Sequence, residues 1–175
     1  MTGELERHEK RLREFLAREP FCLHPDKTQI AIFQRAFTHD SFTEEYNKKA
    51  PVSLESYERL EFLGDAVLEF LVCDSAYRIP QLDSEGALTN DFKQKAVSNA
   101  RITGYLKDAG IDLDGHMLVG KSFSSKNGNV ISDDMRSDVF EALIAAIYLT
   151  FGLECARSVV DRIILAPLKE SQGYL

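Results

Sequence analysis

The stretch YERLEFLGDAVLEF, residues 57–70, decides the fold. Leu60, Leu63, Val67, Phe70 and Leu71 recur with a helical period and share one face, the ordinary stripe by which a helix packs on a core. Glu58, Glu61 and Asp65 fall within an arc of roughly 60° on the other side. Phe62 and Leu68 flank that arc, so the carboxylates do not belong to a broad solvated face. A partly buried row of like charges is costly unless something positive sits on it. The stretch therefore predicts a long helix, capped at Ser53 or Ser56 and running to about Tyr77, whose acidic stripe calls for a cation.

Outward from this helix the pattern stays helical. An amphipathic segment over residues 3–18 stops before Pro20, and a second covers TQIAIFQRAFTHDSF. EEYNKKAPVS reads as a polar loop, and RIPQLDSEGA as another. LTNDFKQKAVSNARITGYLKDAG is helical with a division near Ser98 and Asn99, and DGHMLVGKSFSSKNGN is a flexible connection. Ser132 is a good N-cap for DDMRSDVFEALIAAIYLTFG, and LECARSVVDRIILAPL forms a last helix ending around Pro167. Few segments alternate with period two, so the expected class is all-α.

The helix after Ser132 repeats the first puzzle. Asp134, Asp138 and Glu141 lie within roughly 60° of one another, on a segment that is apolar at almost every other position from Val139 to Leu149. Two largely buried helices with acidic stripes suggest one site, with the stripes facing each other. Oxygen ligands without His or Cys nearby favour Mg²⁺ or Mn²⁺ over zinc. Phosphoryl transfer is the chemistry that best fits a carboxylate-held ion of that kind. For Glu58 alone, a surface residue complementing the helix dipole is an equal reading, and for Asp134 the structural reading is the stronger one.

Composition sets the frame. The 175 residues, 44% hydrophobic and 28% charged, suit one globular domain over 1–175 with a sizeable core. Cys22, Cys73 and Cys155 form no CxxC pair and lie in apolar context, which predicts reduced core residues in a reducing compartment. The N-terminal segment has no apolar signal region, and the longest uncharged apolar run, within ALIAAIYLTFGL, is too short to cross a bilayer. A soluble, cytoplasmic protein is expected. The net charge of −7 argues weakly against nucleic acid as a partner, but cation-binding carboxylates inflate it, and a local basic patch can coexist with it.

ERLEFLGDAVL, from Glu58 to Leu68, resembles the signature of the ribonuclease III endonuclease domain over its full length. AFTHDSF, LTN…AVSN and SDVFEALIAAIYL resemble that family's other segments in the expected order, and the likeness covers residues 10–165. The resemblance implies an all-α, homodimeric domain that hydrolyses double-stranded RNA to 5′-phosphate and 3′-hydroxyl ends with Mg²⁺ as cofactor. By motif position it implies Glu61, Asp65, Asp138 and Glu141 as metal-binding carboxylates, with Glu58 positioning RNA or water. It gives Asp134 no ligand role. It places Phe62 in the partner subunit, and it implies that Gly64 lets another backbone approach. Tyr57 stands where the family commonly has Asn, and Ser137 where Ala is common. The sequence stops short of the double-stranded-RNA-binding domain that many members carry, as either a naturally short form or a fragment of a longer protein. Without that domain, affinity for RNA is expected from the nuclease surface, with Lys93, Lys95, Arg101, Lys107, Lys121 and Lys126 as candidates and a steep salt dependence.

Other readings compete. GHMLVGKS, Gly115 to Ser122, satisfies the phosphate-loop pattern, yet neither a buried strand before it nor a helix after it is predicted, so no nucleotide cofactor is expected. Thr38-His39-Asp40 contains the His-Asp pair of another metal phosphohydrolase class, but His8, His24 and His116 have no convincing ligand spacing, and His39 reads as a hydrogen-bonded helix residue. A catalytically silent RNA-binding or ribosome-associated protein of the same fold is the remaining alternative. Retention of all four carboxylates favours the enzyme.

Overall fold

The computed structural model describes residues 2–125 and 128–174. The described residues form α1 (Thr2–Leu16), α2 (Ile30–Ala36), α3 (Asp40–Asn47), α4 (Glu58–Tyr77), α5 (Gln94–Val97), α6 (Asn99–Asp108), α7 (Asp133–Phe151), α8 (Leu153–Val160) and α9 (Ala166–Gln172). π-helical turns at Ala87–Lys93 and Asp161–Leu165 lead into α5 and α9. The only strands described are an antiparallel pair of two residues each, Ser124–Ser125 with Gly128–Asn129, so the fold is all-α as expected. Among the described residues no helix is long and apolar enough to cross a membrane.

The middle of the fold is the pairing of α4 with α7. Every residue from Val139 to Ile147 is buried, and α4 contributes Leu60, Val67, Leu68, Leu71 and Val72 to the same core. Each fully buried aliphatic or aromatic side chain here contributes roughly 1.5–3 kcal/mol of transfer free energy. The two backbones come closest at Gly64, where an added Cβ would sit 1.8 Å from the Glu141 carbonyl oxygen. Only the absence of a side chain permits that approach, which outweighs the helix propensity lost to an internal glycine. Gly152, with φ 87°, then ends α7 and turns the chain into α8.

Several sequence expectations are met at their caps. The Ser132 hydroxyl accepts from the Met135 N–H at 3.2 Å, and Ser98 divides α5 from α6. Others are corrected. The run from Thr28 to Phe42 is not one helix: it breaks at Thr38, whose backbone bridges to Leu118, and restarts at α3. α3 then extends into the segment read as a loop. Neither Ser53 nor Ser56 caps α4 through its side chain; Tyr57 is the N-cap, and the Ser56 hydroxyl instead donates to Glu58 Oε2 at 3.0 Å. The last helical segment runs beyond Pro167 to Gln172, because the proline occupies a first-turn position of α9.

Phe70 is not in the core but 52% exposed, on a stripe of α4 that it shares with Phe62, Ala66, Cys73 and Tyr77. The cysteines are free thiols but not core residues: Cys22 and Cys73 are exposed and Cys155 is half-buried. Their apolar sequence neighbours fall on other faces of the chain.

Candidate metal centre

Gly64 lies between Glu61 and Asp65 on α4, and its contact on α7 is the backbone of Glu141 itself. The crossing therefore brings the two acidic stripes together. Carboxylate oxygens of Glu61, Asp138 and Glu141 lie within 4.8 Å of one another, with Glu141 buried and the other two half-buried. Asp65 lies outside that tight group and is more exposed, but it still acts on Glu141 electrostatically.

The electrostatics follow from burial. Glu141 is raised from 4.5 to about 8, first by desolvation and then by Asp65, Asp138, Glu61 and Glu69. Desolvation also raises Glu61, with Asp138, Glu58 and Asp65 adding to it. Asp138 is raised by burial and by Asp134, against smaller opposing effects of Tyr57 and His39. Asp65 is raised by desolvation and Glu69, while Lys93 opposes. A half-buried set of hard oxygen donors that raise one another fits a small divalent cation and fits zinc poorly. Glu61, Asp138 and Glu141 could hold such an ion together, with Asp65 on the rim.

The remaining predicted residues are distributed differently. Glu58 is exposed, tied to Ser56, and lines a cavity of about 130 Å³ beside the cluster with His39, Asp40, Tyr57, Glu61 and Asp138. Asp134 points away: its Oδ1 accepts from Asn99 Nδ2 at 2.8 Å, which accounts for an acid on the stripe but outside the site. Phe62 is 83% exposed. Lys93 forms an ion pair with Glu69 at 2.9 Å, and Lys95 donates to Gln172 Oε1 at 2.8 Å. Arg101, Lys107 and Lys121 are exposed, and Lys126 lies outside the described residues. In GHMLVGKS the amides a phosphate would need are engaged: Gly120 donates to Ser41 Oγ at 2.9 Å and Lys121 to Glu45 Oε1 at 2.7 Å.

Sequence reasoning missed the neighbours on the far side of Asp138. His39 caps α3, its Nδ1 accepting from the Ser41 N–H at 3.1 Å, and its ring meets that of Tyr57 edge-on at 5.6 Å. The Tyr57 hydroxyl donates to Asp138 Oδ2 at 3.5 Å, across 81 positions of sequence. The only local signal was the tyrosine itself, directly before the first acid of the stripe.

Comparison with known proteins gives the family of this fold. A family model described as ribonuclease-III-like matches residues 29–168. Curated relatives named ribonuclease 3 include one from Onion yellows phytoplasma, 36% identical over 81% of this chain and 56% of its own length. Another, from Pelotomaculum thermopropionicum, is 38% identical over 78% of this chain and 54% of its own length. One from Bifidobacterium longum is 31% identical over 97% and 65%. The chain thus spans little more than half the length of the first two. The crystal structure of the nuclease domain of ribonuclease III from Campylobacter jejuni superposes with a TM-score of 0.66 at 26% identity, covering 93% of this chain and 94% of that one. With the acidic stripes meeting on this fold and the family model covering most of the sequence, the chain belongs to the ribonuclease-III-like family.

Proposed function

We propose that this chain is an endonuclease domain that hydrolyses the phosphodiester bonds of double-stranded RNA, with Mg²⁺ as its ion and Mn²⁺ as a substitute, leaving 5′-phosphate and 3′-hydroxyl ends for RNA processing. The observation that carries the proposal is the meeting of Glu61, Asp138 and Glu141 at the Gly64 crossing, in a chain whose curated relatives are named ribonuclease 3. Bound there, a divalent ion supplies Lewis-acid stabilisation of a phosphate and activation of water. The chain's own residues hold the site open to one side. Glu61, Asp138 and Glu141 act as ligands, Asp65 completes the set from the rim, and Glu58 positions RNA or water from the adjoining cavity.

The exposed stripe of α4 supports a homodimer. Phe62, Ala66, Phe70, Cys73 and Tyr77 are all exposed along one side of a helix whose other side is core. A contiguous apolar stripe of this kind marks an interaction surface, and a second copy would cover it while setting two carboxylate clusters against one duplex. Arg101 and Lys121 are open to solvent and suit phosphate contacts, whereas Lys93 and Lys95 must leave Glu69 and Gln172 to make them.

The test is cleavage of a long end-labelled RNA duplex at low salt, with Mg²⁺, with Ca²⁺ and with chelator, alongside Asp65→Asn. Mg²⁺-dependent cutting of both strands, lost in the variant while its fold and assembly state persist, is the expected result. Full activity in Asp65→Asn would refute that residue's assignment. Binding of duplex without any cleavage by the wild type would favour the catalytically silent reading.

A further inference from the structure

We infer that Tyr57 is a positioning residue for the carboxylate cluster, its hydroxyl holding Asp138 in the orientation that meets Glu61 and Glu141. This rests on the reading of that cluster as a cation site.

The case begins with how firmly Tyr57 is held. Its N–H donates to the Thr38 carbonyl at 2.9 Å, and its own carbonyl accepts from Leu60 and Glu61 at 2.7 and 2.9 Å. The side chain is 4% exposed although it lies at the first turn of a helix whose next two residues face solvent. His39 packs edge-on against the ring, and Phe123 packs edge-on against His39 at 4.9 Å. His39 is itself fixed by Ser41, whose Oγ lies 2.8 Å and whose N–H lies 3.1 Å from Nδ1. Thus three aromatic rings in series, from a 3₁₀ turn, a helix cap and a helix start, fix where the phenol oxygen emerges.

It emerges beside Asp138. Among the described residues no other side chain donates to that carboxylate. At 3.5 Å the bond is long for an O–H donor on a carboxylate. Asp138 is the shortest of the three clustered acids, so a wrong side-chain rotation displaces its oxygens from the common point. A donor that selects one rotation in advance spares the ion that ordering cost, the usual role of hydrogen bonds behind a metal ligand.

The experiment compares Mn²⁺ binding, by calorimetry and by the Mn²⁺-induced rise in Tm, in wild type, Tyr57→Phe, Asp138→Asn and the double variant. Tyr57→Phe keeps the ring and its packing, and each variant is read against its own metal-free Tm, so a general loss of stability cancels. The expected result is about tenfold weaker Mn²⁺ binding in Tyr57→Phe. In the Asp138→Asn background the same change should alter binding by less than about twofold, because its target is gone. Unchanged affinity in Tyr57→Phe, or an equal loss in both backgrounds, overturns the inference while leaving the cation site intact. Failure of the wild type to bind Mn²⁺ overturns both.

Discussion

The carboxylates between α4 and α7 and the histidine pair joining α1 to the segment before α7 are both buried ionisable groups, and they make opposite demands. His8 is fully buried; its Nε2–H donates to the His116 carbonyl at 2.7 Å, and burial lowers it from 6.5 to about 4. Burial lowers His116 as well, with Arg11 and Arg18 adding and Asp112 opposing. This junction is neutral, with the Nδ1 atoms of both rings buried without a partner; it ties α1 to the segment before α7 and packs the His116 ring against Phe15 at 4.4 Å, tilted by 34°. The carboxylate cluster is the reverse case. Its members raise one another, and no cation among the described residues pairs directly with Glu61, Asp138 or Glu141. The histidines are settled by shedding charge, whereas the carboxylates repel one another until a proton or, on the function proposed, a cation joins them.

The largest effect expected from breaking this contrast comes from neither group's charge. Gly64→Ala puts a methyl group against the Glu141 backbone, and it should destabilise the fold by about 3 kcal/mol or more, read by urea unfolding. No side-chain rotation relieves a clash with main chain, so metal binding should fall with it.

Next is Glu141→Gln. In metal-free protein the folded state keeps a proton on Glu141 up to about pH 8, whereas the unfolded chain releases it near 4.5. Stability is therefore lost as pH rises through that window. Glu141→Gln should abolish cleavage yet stabilise the metal-free fold at pH 8 by roughly 1–3 kcal/mol, and Mn²⁺ should flatten the wild-type dependence. A wild-type Tm that does not fall between pH 5 and pH 8 without metal would contradict this.

The histidine junction should respond with the other sign. The unfolded chain takes up a proton on His8 as pH falls through 6.5, and the folded chain resists until about 4, so stability is lost as pH drops through that interval. His8→Gln retains a donor for the His116 carbonyl and should remove most of this acid sensitivity, at a cost of about 1 kcal/mol at neutral pH, measured by Tm against pH. The smallest effect is Asp134→Asn. With its carboxylate turned to Asn99, cleavage should change by no more than about threefold, a result that would sharpen the boundary of the site.

What the sequence revealed of this molecule, and what it hid, divides by distance along the chain. Ser132 as a cap, the break at Ser98 and the helical period of α4 and α7 depend on neighbours within a few positions, and all could be read directly. Periodicity placed Phe70 in the core because a second apolar stripe on one helix looks the same whether a core or another surface covers it. It put Asp134 beside Asp138 and Glu141 because angle around a helix says nothing of where along the axis the partner helix ends. The break at Thr38 carries no Gly or Pro; it is made by Leu118, which is distant in sequence. Tyr57 with Asp138 and His8 with His116 are contacts of the folded chain alone, and no local pattern announces them.

The close pass at Gly64 also separates inheritance of shape from inheritance of activity. Alignment of the two helices is written in main-chain atoms, whereas the chemistry we propose rests on four side chains at or beside the crossing. A single change of carboxylate to amide can then silence a copy of this domain and leave its outline untouched. Descendants of such a fold would keep their shape long after losing their reaction, and the carboxylates, more than the architecture, would tell a working copy from a retired one.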